Sequence, residues 1–226
     1  MSARTEMDRR TFLRMTAATA TLAVAVPAGH AQAAELKIVP LPAPQMDGGR
    51  PLMLVLKGRR SSREFRPDPL PPQVLSNLLW AAAGVNRIET GGRTAPTASN
   101  SQDLEIYLAM ADGVFVYEPK PHQLRQVLAD DIRALTGRQA FAKDVPINLI
   151  YVSDLTRMTR AAPEDREFYA AAHTGYVSQN VYLYCASEGL ATVVRASFDR
   201  AGLAKALNLG KEQKITLAQS VGYPKV

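Results

Sequence analysis

Two short stretches concentrate the residue types that hold a polar ligand. The first, Arg59-Arg60-Ser61-Ser62-Arg63-Glu64-Phe65, follows Gly58 directly. Closely spaced guanidiniums can clamp a phosphate through bidentate, charge-assisted hydrogen bonds, and a serine hydroxyl adds a donor. The same composition also makes a solvated basic turn. The second, Arg93-Thr94-Ala95-Pro96-Thr97-Ala98-Ser99-Asn100-Ser101-Gln102, leads straight into alternating apolar residues. Asn100 and Gln102 offer donors and acceptors for the edge of a flat heterocycle. Ser, Thr and Asn are equally the residues of an ordinary turn.

Other chemistries find little material. The histidines are His30, His122 and His173, too few and too scattered for a metal cluster, and Cys185 is a lone cysteine that cannot form an internal disulfide. No Ser-His-Asp arrangement or carboxylate pair is evident in the sequence. The net charge is +6, and Arg4, Arg9, Arg10 and Arg14 against Glu6 and Asp8 account for part of it. What is left is mild and unstriped, which gives nucleic-acid binding no footing.

Several elements must position these stretches. Residues 52–57 begin a helix that stops at Gly58. Pro71-Pro72 followed by Val74, Leu75, Leu78, Leu79 and Ala82 predicts a second helix to Gly84. Residues 85–101 read as loop. Leu104, Ile106, Leu108 and Met110 alternate, and Asp112-Gly113 before residues 114–117 signals a hairpin with positive φ at both turn residues. Leu124, Val127, Leu128 and Leu135 are read as a helix, and residues 147–152 as a buried strand. Arg157, Met158 and Arg160 fall in a surface loop. The longest helical pattern spans residues 163–188, with Glu164 and Asp165 in its first turn and Gly189 at its end. Residues 190–195 read as strand, Asp199 caps a short helix, and residues 215–221 form the last strand. Helices and strands mix without βαβ alternation, which predicts an α+β fold on a mainly antiparallel sheet.

The N-terminus has the order of an export signal. Asp8-Arg9-Arg10-Thr11-Phe12-Leu13-Arg14 precedes an alanine-rich apolar stretch and Ala31-Gln32-Ala33. The division expected is a twin-arginine signal peptide at 1–33, an extended leader at 34–50 rich in Pro and Gly, and a single domain at 51–226. The apolar stretch is shorter than the roughly 20 residues that span a bilayer, so no stable membrane anchor is expected after cleavage.

Taken in order, the motifs resemble the nitroreductase superfamily. The resemblance rests on Arg59 to Phe65, on Pro96-Thr97 with Asn100 and Gln102, on Gly189-Leu190 after the long helix, on Phe198-Asp199, and on Gly222-Tyr223-Pro224. Residues 93–96, 104–110 and 112–124 look more narrowly like the branch of SagB-type, azoline-oxidising dehydrogenases. The resemblance implies an intertwined homodimer with a long central helix and FMN at each of two subunit interfaces, exchanging two electrons with small-molecule donors and acceptors through flavin N5. Carried over by position, Arg59 and Arg63 with Arg60 hold phosphate, and Ser61 holds the ribityl or phosphate oxygens. Asn100 and Gln102 serve the ring edge, and the backbone N–H groups of Ala196 and Ser197 lie beside N5 and O4. The cofactor carries the redox chemistry, so no catalytic side chain is required.

Departures from the pattern mark what is particular here. Asp103-Leu104 replaces a common proline-aromatic pair, Ser197 stands where relatives often have glycine, and the basic residues that often close such chains are not seen before Lys225-Val226. Two other functions stay open at this stage. One is an oxygen-dependent dehydrogenase of an exported, peptide-derived substrate; the other is a flavin-binding or flavin-free protein without catalysis.

Overall fold

The computed structural model describes residues 36–225. The expected signal peptide and its cleavage site lie outside the described residues. Among those described, the elements run β1 (Ile38–Pro40), α1 (Leu52–Gly58), α2 (Pro72–Ala83), β2 (Val85–Arg87), β3 (Gly92–Arg93), β4 (Leu104–Met110), β5 (Gly113–Glu118), β6 (Gln123–Leu128), β7 (Ile147–Asp154), α3 (Arg166–Glu188), β8 (Ala191–Arg195), α4 (Arg200–Ala206) and β9 (Gln213–Gly222). Seven strands form one sheet in the order β1-β6-β5-β4-β7-β9-β8, and β2 pairs only with β3. Each pairing is antiparallel, so the α+β expectation holds.

Alternation along the strands builds two cores, because successive side chains leave opposite faces. Ile106 and Leu108 of β4, Phe115 and Tyr117 of β5, and Leu149 and Tyr151 of β7 meet Leu75, Leu78 and Leu79 of α2 and Val177, Val181 and Cys185 of α3. On the other face Tyr107 and Ala109, Val114 and Val116, and Ile150 and Val152 meet Phe198 and Leu203. Cys185 is fully buried, and burial pushes its thiol up, which leaves it inert.

The structure corrects four readings. Residues 123–128 are strand β6, not helix: Leu124 and Gln126 point inward and Arg125 outward, a period of two imposed by pairing with β5. The loop at 85–101 contains the β2–β3 hairpin and a short 3₁₀ turn, Ala98–Asn100. The β4–β5 turn is formed by Ala111 and Asp112, since Met110 pairs with Gly113, and only Gly113 has positive φ there. Met158 is buried against Leu155 and Ala170 rather than lying on the surface.

The leader is more than a spacer. Its β1 pairs with β6, and the Ser76 hydroxyl of α2 donates to Pro42 O at 2.6 Å. That direction makes Ser76 Oγ the acceptor for His122 Nε2 at 2.8 Å, so His122 Nδ1 accepts the Tyr117 hydroxyl at 2.8 Å. α3 ends at Gly189, whose left-handed φ of 70° suits the C-terminal position of a helix.

Candidate functional site

The basic turn leaves α1 and is pinned at both ends. Ser62 N–H donates to Thr192 O at 2.9 Å, and Phe65 bridges to Pro224. The Arg59 guanidinium lies over the Tyr182 ring of α3, 5.2 Å from its centroid. Tyr182 is the residue that sequence reasoning missed. Its hydroxyl accepts the Val194 N–H at 2.9 Å, and it lies 2.9 Å from Ser61 Oγ. With Val194 donating to the phenol oxygen, the phenol proton can go to Ser61 Oγ, which leaves the Ser61 hydroxyl able to donate to a ligand. Arg59, Arg60 and Arg63 have no carboxylate within ion-pair distance among the described residues, unlike Arg66, Arg125, Arg133 and Arg157. Unpaired cations beside a free hydroxyl donor suit a phosphate. Behind them a cavity of about 170 Å³ is lined by Arg50, Arg60, Ser62 and Tyr182.

Ala196 and Ser197 follow β8 and are exposed. Neither backbone N–H donates to another group among the described residues, while Ser197 O accepts from Arg138 N–H at 2.9 Å. Beneath them Arg195 is 6 % exposed and has no acidic partner among the described residues. It donates to Thr136 O at 3.0 Å, Asn148 Oδ1 at 2.6 Å and Ser220 Oγ at 2.8 Å. Burial pushes its pKa down to about 10, so the guanidinium stays charged at neutral pH. A Cβ at Gly137 would sit 1.6 Å from Arg195 Nη1, so a side chain there would displace the guanidinium from its bonds.

The second stretch is held in a left-handed conformation, with φ of 52° at Ser99, 53° at Asn100 and 46° at Gln102. Gln102 donates to Gly91 O at 2.9 Å and to Asn100 Oδ1 at 3.1 Å. Its side chain is thus engaged in holding Asn100, whose amide N–H₂ has no acceptor among the described residues. Arg157 reaches over from the β7–α3 connection, donating to Gln102 O at 3.2 Å and pairing with Glu105. A cavity of about 250 Å³ lies between this loop and Arg157, Met158, Arg160 and Tyr169.

Both stretches are anchored on α3, the first through Tyr182 and the second through His173, which accepts the Ala98 N–H at 2.8 Å. At roughly 100° and 1.5 Å per residue, nine residues place these anchors about half a turn apart in azimuth and about 13 Å along the axis. One copy therefore unites the 59–63 turn with the 192–197 segment but sets the Asn100 loop on the opposite flank of α3. No cluster of metal-ligating side chains occurs among the described residues, and no helix among them is long and apolar enough to cross a membrane.

An antiparallel sheet backed by a long helix, with a basic turn at one helix flank and a polar loop at the other, defines an α+β protein. Comparison with known proteins gives that class its family. The nitroreductase family profile matches residues 56–223, and the chain belongs to that family. A candidate nitroreductase from Methanocaldococcus jannaschii is 37% identical over 154 residues, covering 64% of this chain and 77% of that protein. The crystal structure of a candidate nitroreductase from Ralstonia eutropha JMP134 is 41% identical with a TM-score of 0.80, over 84% of this chain and 90% of that one. A candidate nitroreductase from Desulfovibrio desulfuricans, solved in complex with FMN, shares the fold at 19% identity with a TM-score of 0.58, over 78% of this chain and 88% of that one.

Proposed function

We propose that this chain is an exported, FMN-dependent oxidoreductase whose site is completed by a second copy of itself. The observation that carries the reading is the set of unpaired Arg59, Arg60 and Arg63 around Ser61, on the same side of α3 as the unpartnered N–H groups of Ala196 and Ser197. Bound there, FMN supplies two-electron hydride chemistry at flavin N5. The chain's own work is positional. The three guanidiniums neutralise the phosphate, Ser61 donates to its oxygens or the ribityl chain, and the N–H groups at 196–197 donate to the ring.

Asn100 supports the homodimer. It sits on the far flank of α3 from the arginines, so it serves the same flavin edge only from a partner copy. α1 carries Leu52, Met53, Leu54 and Leu56 exposed, with only Val55 buried. An apolar patch of this kind marks an association surface. Beside it lies a cavity of about 540 Å³ walled by Arg50, Asn77, Trp80, Asn180 and Tyr184.

The SagB-like stretches at 93–96 and 112–119 favour a variant of this function. In it, oxygen reoxidises the flavin and the reductant is an extracytoplasmic, peptide-derived substrate. A twin-arginine signal is consistent with that, since it exports proteins already folded around a cofactor. The deciding experiment is a visible spectrum of the purified protein, followed by anaerobic titration with NADH or NADPH and then admission of air. A flavin spectrum that bleaches and returns supports the oxidoreductase. A colourless protein that takes up no added FMN refutes it, and one that binds FMN but resists even dithionite is a binding protein.

A further inference from the structure

We infer that His173 and Asp103 form a positioning pair that presets the Asn100 loop for the flavin edge, an assignment that rests on the function proposed above. Both are buried, His173 at 1 % and Asp103 at 0 % exposure. His173 Nε2 accepts the Ala98 N–H at 2.8 Å, which only an unprotonated nitrogen can do. The ring is therefore neutral and carries its proton on Nδ1, which donates to Asp103 Oδ1 at 2.7 Å. A buried carboxylate is costly unless its oxygens are hydrogen-bonded. Asp103 Oδ1 also accepts the Ser101 hydroxyl at 2.8 Å, and Oδ2 accepts the Ser153 hydroxyl at 2.6 Å. One carboxylate thus joins α3, β7 and the loop.

The loop needs such an anchor. Ser99, Asn100 and Gln102 occupy a left-handed backbone region that non-glycine residues avoid unless their surroundings enforce it. Within the loop, Asn100 N–H donates to Thr97 O and Gln102 N–H to Thr97 Oγ1, both at 3.0 Å, but these bonds move with the loop. The Ala98–His173 bond fixes its start to the core of the protein, and Tyr169 holds the imidazole by stacking at 6.0 Å.

Two variants separate the two bonds of the imidazole. His173→Gln keeps an acceptor near the Nε2 position for Ala98 and loses the donor to Asp103; His173→Asn keeps a donor near Nδ1 and loses the acceptor. Apo proteins are titrated with FMN and with riboflavin by flavin fluorescence, and Ala98 amide exchange is followed without ligand. His173→Asn should weaken both flavins about tenfold and speed Ala98 exchange, while His173→Gln, which keeps the acceptor for Ala98 but leaves Asp103 without its donor, should fall between His173→Asn and wild type. A purely structural role would lower both variants' unfolding temperatures and leave the affinity of folded protein unchanged. The assignment falls if His173→Asn binds like wild type, if His173→Gln is as weak as His173→Asn, or if Ala98 exchanges freely in wild type. Wild type that binds neither flavin while Ala98 is protected refutes the flavin reading itself, and with it the ligand assigned to this loop.

Discussion

Removing the Arg59 guanidinium tests the phosphate end of the site most directly. Arg59 is half-buried over Tyr182 and has no carboxylate partner among the described residues, so a phosphate would meet a cation not already committed. Truncation to alanine then removes a charge-assisted hydrogen bond worth about 1.5–3 kcal/mol. At ~1.4 kcal/mol per factor of ten, FMN affinity falls about tenfold to a hundredfold. Neighbouring Arg60 and Arg63 are exposed and can move toward the vacated position, which favours the lower end. Loss of the cation–π contact, worth about 0.5–1 kcal/mol at an exposed site, lowers the unfolding temperature of apo and bound protein alike and cancels from the affinity. Riboflavin, lacking the phosphate, should bind both proteins equally. Fluorescence titration of apo wild type and Arg59→Ala with the two ligands measures the contrast. Equal FMN affinity, or parallel losses for FMN and riboflavin, would refute the reasoning and return Arg59 to a solvated basic turn.

Tyr182→Phe removes the hydroxyl shared by Ser61 and the Val194 N–H; a loss of about 1 kcal/mol in stability and a several-fold loss in FMN affinity are expected from denaturant and fluorescence titrations. Arg59→Ala and Asn100→Ala chains, mixed and reassembled, should recover tight FMN binding in about a quarter of sites, because each mixed dimer concentrates both defects in one site. Should mixing recover none, the halves do not meet across an interface. Burial lowers the pKa of His122 below its ordinary 6.5, so its contribution is full above that value and declines as pH falls toward the folded value. Between pH 7.5 and 5, wild type should therefore lose stability to urea more steeply than His122→Gln, and parallel profiles would count against a neutral His122 linking Ser76 to Tyr117. Replacing Arg9 and Arg10 by lysine should leave unprocessed precursor in the cytoplasm on immunoblots; normal processing would point to a general secretory signal.

Where local spacing dictates structure, the sequence was readable. The stripe on α2, Gly189 at the end of α3, and the Asp199 cap, which accepts Ala201 and Gly202 N–H at 3.1 Å, appear as expected, whereas Glu164 and Asp165 lie in a 3₁₀ turn that precedes α3, whose own first turn carries Glu167. β6 was misread because Leu124, Val127 and Leu128 fall at three- and four-residue spacings as well as on a strand, and only pairing with β5 decides between them. The turn at 59–63 was visible as composition. Its organiser was not, since a tyrosine within an apolar helical pattern carries no local mark of contact with Ser61, 121 residues away. Asp103 and His173 are separated by 70 residues, so their bond too is a product of the fold. Asp103 did register as a departure from the family pattern, but its bonds to His173, Ser101 and Ser153 were not legible in the sequence.

The three segments assigned to the ligand share one design. Each is largely exposed, and each is tied from behind to buried polar groups: Ser61 to Tyr182, the Asn100 loop to His173 and Asp103, and the 196–197 segment to the Arg195 network that directly precedes it. Apolar replacements at these positions would avoid desolvation costs but would leave the segments free to relax. Tyr182 and Val194 align the 59–63 turn with β8, whereas His173 aligns the opposite flank of α3, so one helix fixes the turn and the Asn100 loop relative to each other. In a dimer related by twofold symmetry, that rigidity sets the spacing from the phosphate turn of one copy to the ring-edge loop of the other. The affinity for FMN would then depend on the docking of two helices as much as on any single contact.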